Sequence, residues 1–265
     1  MNPIINIATN AARKAGDLIL RSTERLDKLQ VTEKSHNDFV TDIDQKAETI
    51  IIDTIRKAHP DHGILAEEGG HSPGDEYTWI IDPLDGTRNF LHGFPQFCVS
   101  IALKHKDKIA HGVIYDPTRQ EFFTASRGRG ATLNNTRIRV SKRLKLSECL
   151  IGSGFPFRHT EERVTSYIKL LESILPICGD IRRAGAAALD LAYVAAGRLD
   201  GFFEMGLKPW DLAAGTLMIT EAGGLVADFE GNNGFMESGD IVTGNPKIFK
   251  ALLQQIRPHV IKAQD

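Results

Sequence analysis

The chain is poor in cysteine: Cys98, Cys149 and Cys178 are the only three in 265 residues. They are odd in number and widely spaced, so they form neither a disulfide framework nor a Cys-x-x-Cys zinc pattern, and a reducing compartment is expected. His-Glu-x-x-His is absent as well, so no zinc-hydrolase ligand set is read. No apolar run is long enough to span a bilayer. In the first twenty residues Asn10, Arg13, Lys14 and Asp17 interrupt the apolar positions, so no signal-peptide core is read there. An excess of one charge is also missing. With 32 basic and 34 acidic residues, no global field points to nucleic acid or membrane. Repeats, low-complexity tracts and long linkers are absent too. What is present is the balance of a globular protein, 42% hydrophobic and 25% charged. The expectation is a cytoplasmic chain with no membrane partner.

The most informative stretch is Trp79 to Phe90, WIIDPLDGTRNF. Trp79, Ile80 and Ile81 read as a short buried strand that Pro83, lacking an N–H, should stop. Asp82 and Asp85 then fall where a strand ends and the chain turns, a common place for function. Gly86 permits a tight turn, and Thr87 can start a short helix through Asn89 and Phe90. Two acids three residues apart before Gly-Thr suggest hard-cation ligands beside an anion-binding helix start. A surface Asp-Pro turn is the competing reading of a bare D-x-x-D-G.

The flanks read as alternating helices and strands. Ile4, Ile7, Ala8, Ala11, Ala15, Leu18 and Ile19 recur at helical spacing. Lys34 to Asp44 is polar and loop-like, and a second helix runs from near Thr41–Asp44 to a stop before Pro60. Gly63 to Ala66 is a short strand delivering Glu67 and Glu68 into a Gly-Gly turn. Phe97 to Lys104, Ile109 to Tyr115 and Glu121 to Ala125 follow as consecutive strands. Between Ser126 and Leu146 lie Arg127, Arg129, Arg137, Arg139, Lys142, Arg143 and Lys145 with no acid among them. Ile138 and Val140 alternate with these, which reads as the solvated face of an edge strand; RNA contact is the alternative. A seam near Ser141 to Glu148 divides residues 1–145, carrying most of the candidate ligands, from residues 146–265. In the second part Cys149 to Gly154 is a strand, and Val164 to Leu175 marks a helix. Ala184 to Ala196 forms a small-residue helix, and Leu199 to Phe203 is a strand reaching Glu204. Pro209 opens the helix carrying Asp211.

Asp44, Glu67, Asp82, Asp85, Glu204 and Asp211 all fall at strand ends or helix starts. Clustered buried acids need cations to stay ionised. All-oxygen ligands favour Mg²⁺, and a metal-loaded acidic site attracts phosphate.

Four segments resemble the inositol monophosphatase family. DPLDGTRNF (Asp82 to Phe90) and PWDLAAG (Pro209 to Gly215) are similar to its two signatures. EEG from Glu67 and DFVTDID from Asp38 to Asp44 resemble its metal-binding and threonine-supporting segments. The similarity runs over essentially the whole chain, and Arg182 to Glu204 resembles the bacterial SuhB branch especially. The resemblance implies an α/β, αβαβα layered sandwich of the type shared with fructose-1,6-bisphosphatase. It also implies a homodimer and a lithium-sensitive, Mg²⁺-dependent phosphatase acting on myo-inositol 1-phosphate or similar polyol phosphates.

Carried over by residue, Glu67, Asp82 and the Leu84 carbonyl would hold a first Mg²⁺. Asp82, Asp85 and Asp211 would hold a second, and Glu67 would assist a weaker third. Thr87, backed by Asp44, would orient the attacking water, and Gly86 and Thr87 N–H groups would bind phosphate. Asp85, Arg183, Gly185, Ala186, Glu204 and Asp211 would meet the polyol hydroxyls. Lys34 could lean toward the metals or be solvated, and Arg88 occupies a position that varies in the family. Fructose-1,6-bisphosphate and 3′-phosphoadenosine phosphate are the rival substrates. A partner role in ribosomal RNA transcription complexes, as the SuhB branch implies, is the rival function.

Overall fold

The N-terminal apolar period folds as α1 (Pro3–Ser22) in a computed structural model that describes residues 2–28, 31–35, 38–156 and 160–259. Asn2 caps it by accepting the Ile4 N–H at 2.9 Å, and Pro3 sits where its missing N–H costs nothing. Ile5, Ala8, Ala11, Ala12, Ala15 and Ile19 form its buried stripe, and each isoleucine contributes about 1.5–3 kcal/mol by burial. α2 (Asp42–Arg56) opens on a capping box. Thr41 Oγ1 accepts the Ile43 N–H at 3.1 Å, while the Asp44 carboxylate takes the Thr41 N–H at 2.8 Å.

The stretch read as a loop before α2 is instead an antiparallel ribbon of β1 (Val31–Ser35) and β2 (Asp38–Thr41). A two-stranded ribbon satisfies its backbone groups by local pairing and needs no apolar face, so a polar sequence conceals it. Lys34 lies in β1, and its side chain is outside the described residues.

The first large sheet comprises β3 (Gly63–Ala66), β4 (Gly70–Ser72), β5 (Tyr77–Asp85), β6 (Cys98–His105), β7 (Lys108–Asp116), β8 (Glu121–Ser126), β9 (Gly130–Leu133) and β10 (Thr136–Arg137). Short α3 (Thr87–Leu91) follows β5. The strand order is β10-β9-β8-β7-β6-β5-β3-β4, and only the β3–β5 pair is parallel. The rest of the chain supplies β11 (Leu150–Ser153), α4 (Glu161–Ile174), β12 (Asp180–Arg182), α5 (Ala187–Ala195), β13 (Gly201–Glu204), α6 (Pro209–Glu221), β14 (Leu225–Ala227), α7 (Phe235–Ser238), β15 (Ile241–Gly244) and α8 (Pro246–Ile256). These strands form a second sheet in the order β12-β11-β13-β15-β14.

Three cores join five layers. α1 and α2 cover one face of the first sheet, α5 and α6 lie between the two sheets, and α4 and α8 cover the far side. This is the αβαβα sandwich. α5 and α6 are apolar all round because they are covered on both sides. Small residues let α6 approach: a Cβ built on Gly112 would lie 3.1 Å from the Ala214 Cα.

Both faces of the first sheet are buried, and its side chains alternate between cores. Trp79 and Ile81 face α1 and α2, whereas Ile80 faces α5 and α6. The expectation that Pro83 stops the ladder is corrected, since β5 runs on to Asp85. Asp82 pairs with Ser100 and Asp85 with Cys98, so two residues of β5 oppose one of β6 between them. Pro83, with no N–H to lose, sits within this bulge.

The basic stretch is only briefly a strand. β10 ends at Arg137, and the chain then leaves the sheet, with the Val140 N–H on the Ala222 carbonyl at 3.3 Å. Ile138 and Val140 do pack on the central core, as their alternation suggests.

Candidate active site

The bulge decides the site. Side chains of a regular strand alternate faces, so Asp82 and Asp85 would point to opposite cores. One extra residue reverses the parity after Asp82: Leu84 enters the α1–α2 core, and Asp85 joins Asp82 on the side of α5 and α6. Asp211 comes from the first turn of α6, where its carboxylate accepts the Lys208 N–H at 2.7 Å. Oxygens of Asp82, Asp85 and Asp211 lie within 4.8 Å of one another. Glu67 reaches the same cavity from the end of β3, its N–H held by the Ile81 carbonyl at 3.2 Å.

Burial and mutual repulsion leave a deficit of positive charge here. Asp82 is 2% exposed, and burial, then Glu67, Asp85 and Asp211, push its pKa well above the carboxylate range. Burial and then Asp211 raise Asp85 to about 7. Such groups take up protons unless a cation neutralises them. Three converging carboxylates, two of them with raised pKa values, are a donor set that fits a hard divalent ion.

Thr87 stands at the first position of α3. Gly86 before it has φ 92°, and a Cβ there would lie 2.8 Å from the Gln96 carbonyl oxygen, so only glycine fits the turn. The Thr87 hydroxyl is 3.0 Å from Asp44 Oδ1 and 3.0 Å from the Leu84 carbonyl oxygen. Asp44 is buried and fixed by Thr41, whose hydroxyl is 2.5 Å from Oδ2. Burial raises its pKa, opposed by the hydrogen bonds from Thr41 and Thr87. With five residues α3 has little macrodipole, so any anion there would be held by individual N–H groups.

A cavity of about 360 Å³ opens over these groups. Glu67, Asp82, Leu84, Asp85, Gly86, Thr87, Arg183, Gly185, Glu204 and Asp211 all line it, and Arg88 stands at its wall. Asp44 and Ala186 do not line it; each is 1% exposed, and Ala187 takes the place beside Gly185. Asn89 ties the two halves of the wall, its Nδ2 donating to the carbonyls of Gln96 at 2.7 Å and Ala184 at 2.9 Å. α5 starts at Ala187 rather than Ala184 because Gly185, at φ 86°, turns the chain there.

Several residues around the site went unread in the sequence. Glu48 is buried one turn beyond Asp44 on α2 and accepts the Glu68 N–H at 2.9 Å. The i, i+4 spacing of the two acids was the available signal. Asp190 is 2% exposed on α5, and burial, then Glu204 and Asp85, push its pKa far up. An acid inside the apolar run Ala186 to Ala196 was its signal. Cys98 and Ser100 gave none. His59 and His62 do have a His-x-x-His spacing, but their rings stack at 4.4 Å and His62 Nδ1 accepts the Trp79 indole N–H at 3.0 Å. Ring faces rather than lone pairs meet, which is not a chelating arrangement.

The inositol monophosphatase family pattern matches residues 1–262. The Nus factor SuhB of Pseudomonas aeruginosa is 55% identical over 265 residues, covering 98% of each chain. The extragenic suppressor protein SuhB of Bartonella henselae superposes with a TM-score of 0.95 at 45% identity, covering 98% of this chain and 100% of that one. A Thermotoga maritima IMPase does so with a TM-score of 0.88 at 36% identity, covering 97% and 98%. In sequence and layering alike, the chain belongs to the inositol monophosphatase family.

Proposed function

We propose that this chain is a Mg²⁺-dependent phosphomonoesterase that hydrolyses myo-inositol 1-phosphate or a similar polyol phosphate. The observation that carries the reading is the convergence of Asp82, Asp85 and Asp211 within 4.8 Å, beside a threonine hydroxyl 3.0 Å from a buried acid. Glu67, Asp82 and the Leu84 carbonyl are the ligands for one ion. Asp82, Asp85 and Asp211 are those for a second, with Glu67 assisting a weaker third. Mg²⁺ held there lowers the pKa of bound water and neutralises charge developing on the phosphate oxygens.

The protein's own groups do the rest. The Thr87 hydroxyl, steadied by Asp44, orients the attacking water for in-line approach to phosphorus. N–H groups of Gly86 and Thr87 hold phosphate oxygens. Arg183, Gly185 and Glu204, with Asp85 and Asp211, meet the polyol hydroxyls, whereas the buried Ala186 only supports that wall. Arg183 lies over the Phe155 ring at 5.5 Å, which fixes its guanidinium at the cavity wall. The test is phosphate release across a panel of phosphomonoesters that includes fructose 1,6-bisphosphate and 3′-phosphoadenosine phosphate. Mg²⁺ should support turnover, chelation should abolish it, and Li⁺ should inhibit. Full turnover in excess chelator would refute the reading.

Chain pairing belongs to the same proposal. α4 exposes Val164 (40%), Ile168 (48%) and, just past its end, Leu175 (57%), an apolar stripe that suits a second copy. Light scattering should give twice the mass of one chain. A transcription-complex role is the second reading. It is favoured by the relatives named Nus factor SuhB and by the exposed segment holding Arg139, Lys142, Leu144 and Lys145.

A further inference from the structure

The side of β6 that faces α5 and α6 carries two small polar residues, Cys98 and Ser100, both buried. Across the bulge they stand opposite the two acids of β5, Cys98 against Asp85 and Ser100 against Asp82. Cys98 is fully buried, and its Sγ lies 3.6 Å from Asp85 Oδ2, an oxygen that also accepts the Ala188 N–H at 2.8 Å. Two donors on one oxygen stop the carboxylate rotating about its Cβ–Cγ bond, so its plane is set before any ion arrives. Ser100, 1% exposed, donates to the Trp210 carbonyl at 3.2 Å, one residue before Asp211. One short segment of β6 therefore touches the supports of ligands that come from two distant parts of the chain.

We propose that Cys98 is a positioning residue for the cation site: its thiol donates to Asp85 and fixes the carboxylate that faces the ion, while Ser100 anchors the start of α6 that carries Asp211. The inference rests on the acidic cluster being a cation site. A thiol suits the place because it packs as a small hydrophobe against the alanines of α5 and α6 and still offers a weak donor. Outer partners of this kind set metal affinity, and removing one costs about 10–100-fold.

The competing account is that Cys98 only fills space. Titration of chelator-treated full-length protein with Mg²⁺ alone, by calorimetry, separates the two. Cys98→Ser keeps a donor and should bind within about threefold of the unmodified chain. Cys98→Val keeps volume without a donor and should bind about tenfold more weakly, as should Cys98→Ala, which decides the matter if the valine variant does not fold. Ser100→Ala should weaken binding in the same direction. Melting temperatures without metal should not follow this ranking. Equal Mg²⁺ affinity in all variants, or a serine variant as weak as the valine one, would overturn the positioning role and leave the phosphatase reading intact. Failure of the unmodified chain to bind Mg²⁺ would overturn both.

Discussion

At the scale of single residues, Thr87 separates a catalytic hydroxyl from a structural one. Its oxygen is 3.0 Å from both Asp44 Oδ1 and the Leu84 carbonyl oxygen, and the residue is only half-buried. Thr87→Ala should lower turnover about 100-fold or more with little loss of stability, and Thr87→Ser should retain most activity. Steady-state kinetics on the three proteins checks this; equal activity of the alanine and serine variants would leave the Thr87 hydroxyl a structural role only. Asp85 gives a pH prediction. Burial and Asp211 raise it to about 7 in the metal-free fold, against about 3.9 for an unfolded aspartate. Between those values the folded state binds more protons than the unfolded one, so stability is lost as pH rises through the window. Asp82 and Asp190 are displaced upward too and act with the same sign. Mg²⁺ bound as proposed would take the ionised form and restore that stability. The melting-temperature gain from saturating Mg²⁺ should therefore grow from about pH 5 to about pH 8, as thermal scans with and without the ion would show.

At the scale of elements, the ends of paired strands set the wall of the cavity that carries Glu204. β11 and β13 run parallel with Ser153 beside Phe203, which places Gly154 against Glu204. A Cβ at Gly154 would fall 1.9 Å from the Glu204 carboxyl carbon, so glycine there is what lets the acid lie along the wall. Gly154→Ala should push Glu204 aside and raise KM for a polyol phosphate about tenfold, with kcat changed much less, because the metal ligands lie on other elements. A phosphomonoester without hydroxyls to recognise should show no KM change, and an equal rise for both substrates would count against a hydroxyl-binding role. β5 provides the contrasting case. Its bulge cannot be shifted without turning Asp85 into the wrong core, which is why Cys98 and the start of α5 brace that carboxylate from behind.

At the scale of the whole molecule, the acidic cavity and the basic strip are separate features, and variants can separate them. Asp211→Asn keeps its shape and should be folded and nearly inactive, because it removes charge from the cation cluster. On the strip, Arg143 should be left alone. It pairs at 3.1 Å with Asp200, which is 1% exposed, and losing it would strand a buried charge. Arg137, Arg139 and Lys142 are exposed, and changing all three to Gln should leave turnover close to normal. Any RNA binding by the strip should weaken in that variant and fall steeply with salt. Complementation of a strain lacking the gene gives the decision. Rescue by the Asp211 variant but not by the strip variant would make the transcription role the primary one, and the reverse would make the phosphatase primary.

The sequence by itself determined the helices, most strands and the places where acids cluster, because period 3.6, period 2 and the Gly and Pro stops are local properties of the chain. Residues from Asp44 to Asp211 could be marked as one constellation because each stood at an element end. Tertiary structure alone decided how they converge. Whether Asp85 shares a face with Asp82 depends on the register of β6 against β5, which no pattern within Trp79 to Phe90 encodes. Glu48 and Asp190 read as ordinary helix residues until packing buries them beside the cavity wall. Arg143 reads as one more solvated cation until a strand some sixty residues away delivers Asp200 to it. Cys98 reads as one more core residue until the pairing of β5 and β6 sets its thiol against a carboxylate. Local pattern fixes which side chains a strand or helix presents; only long-range pairing and layer packing fix what those side chains meet.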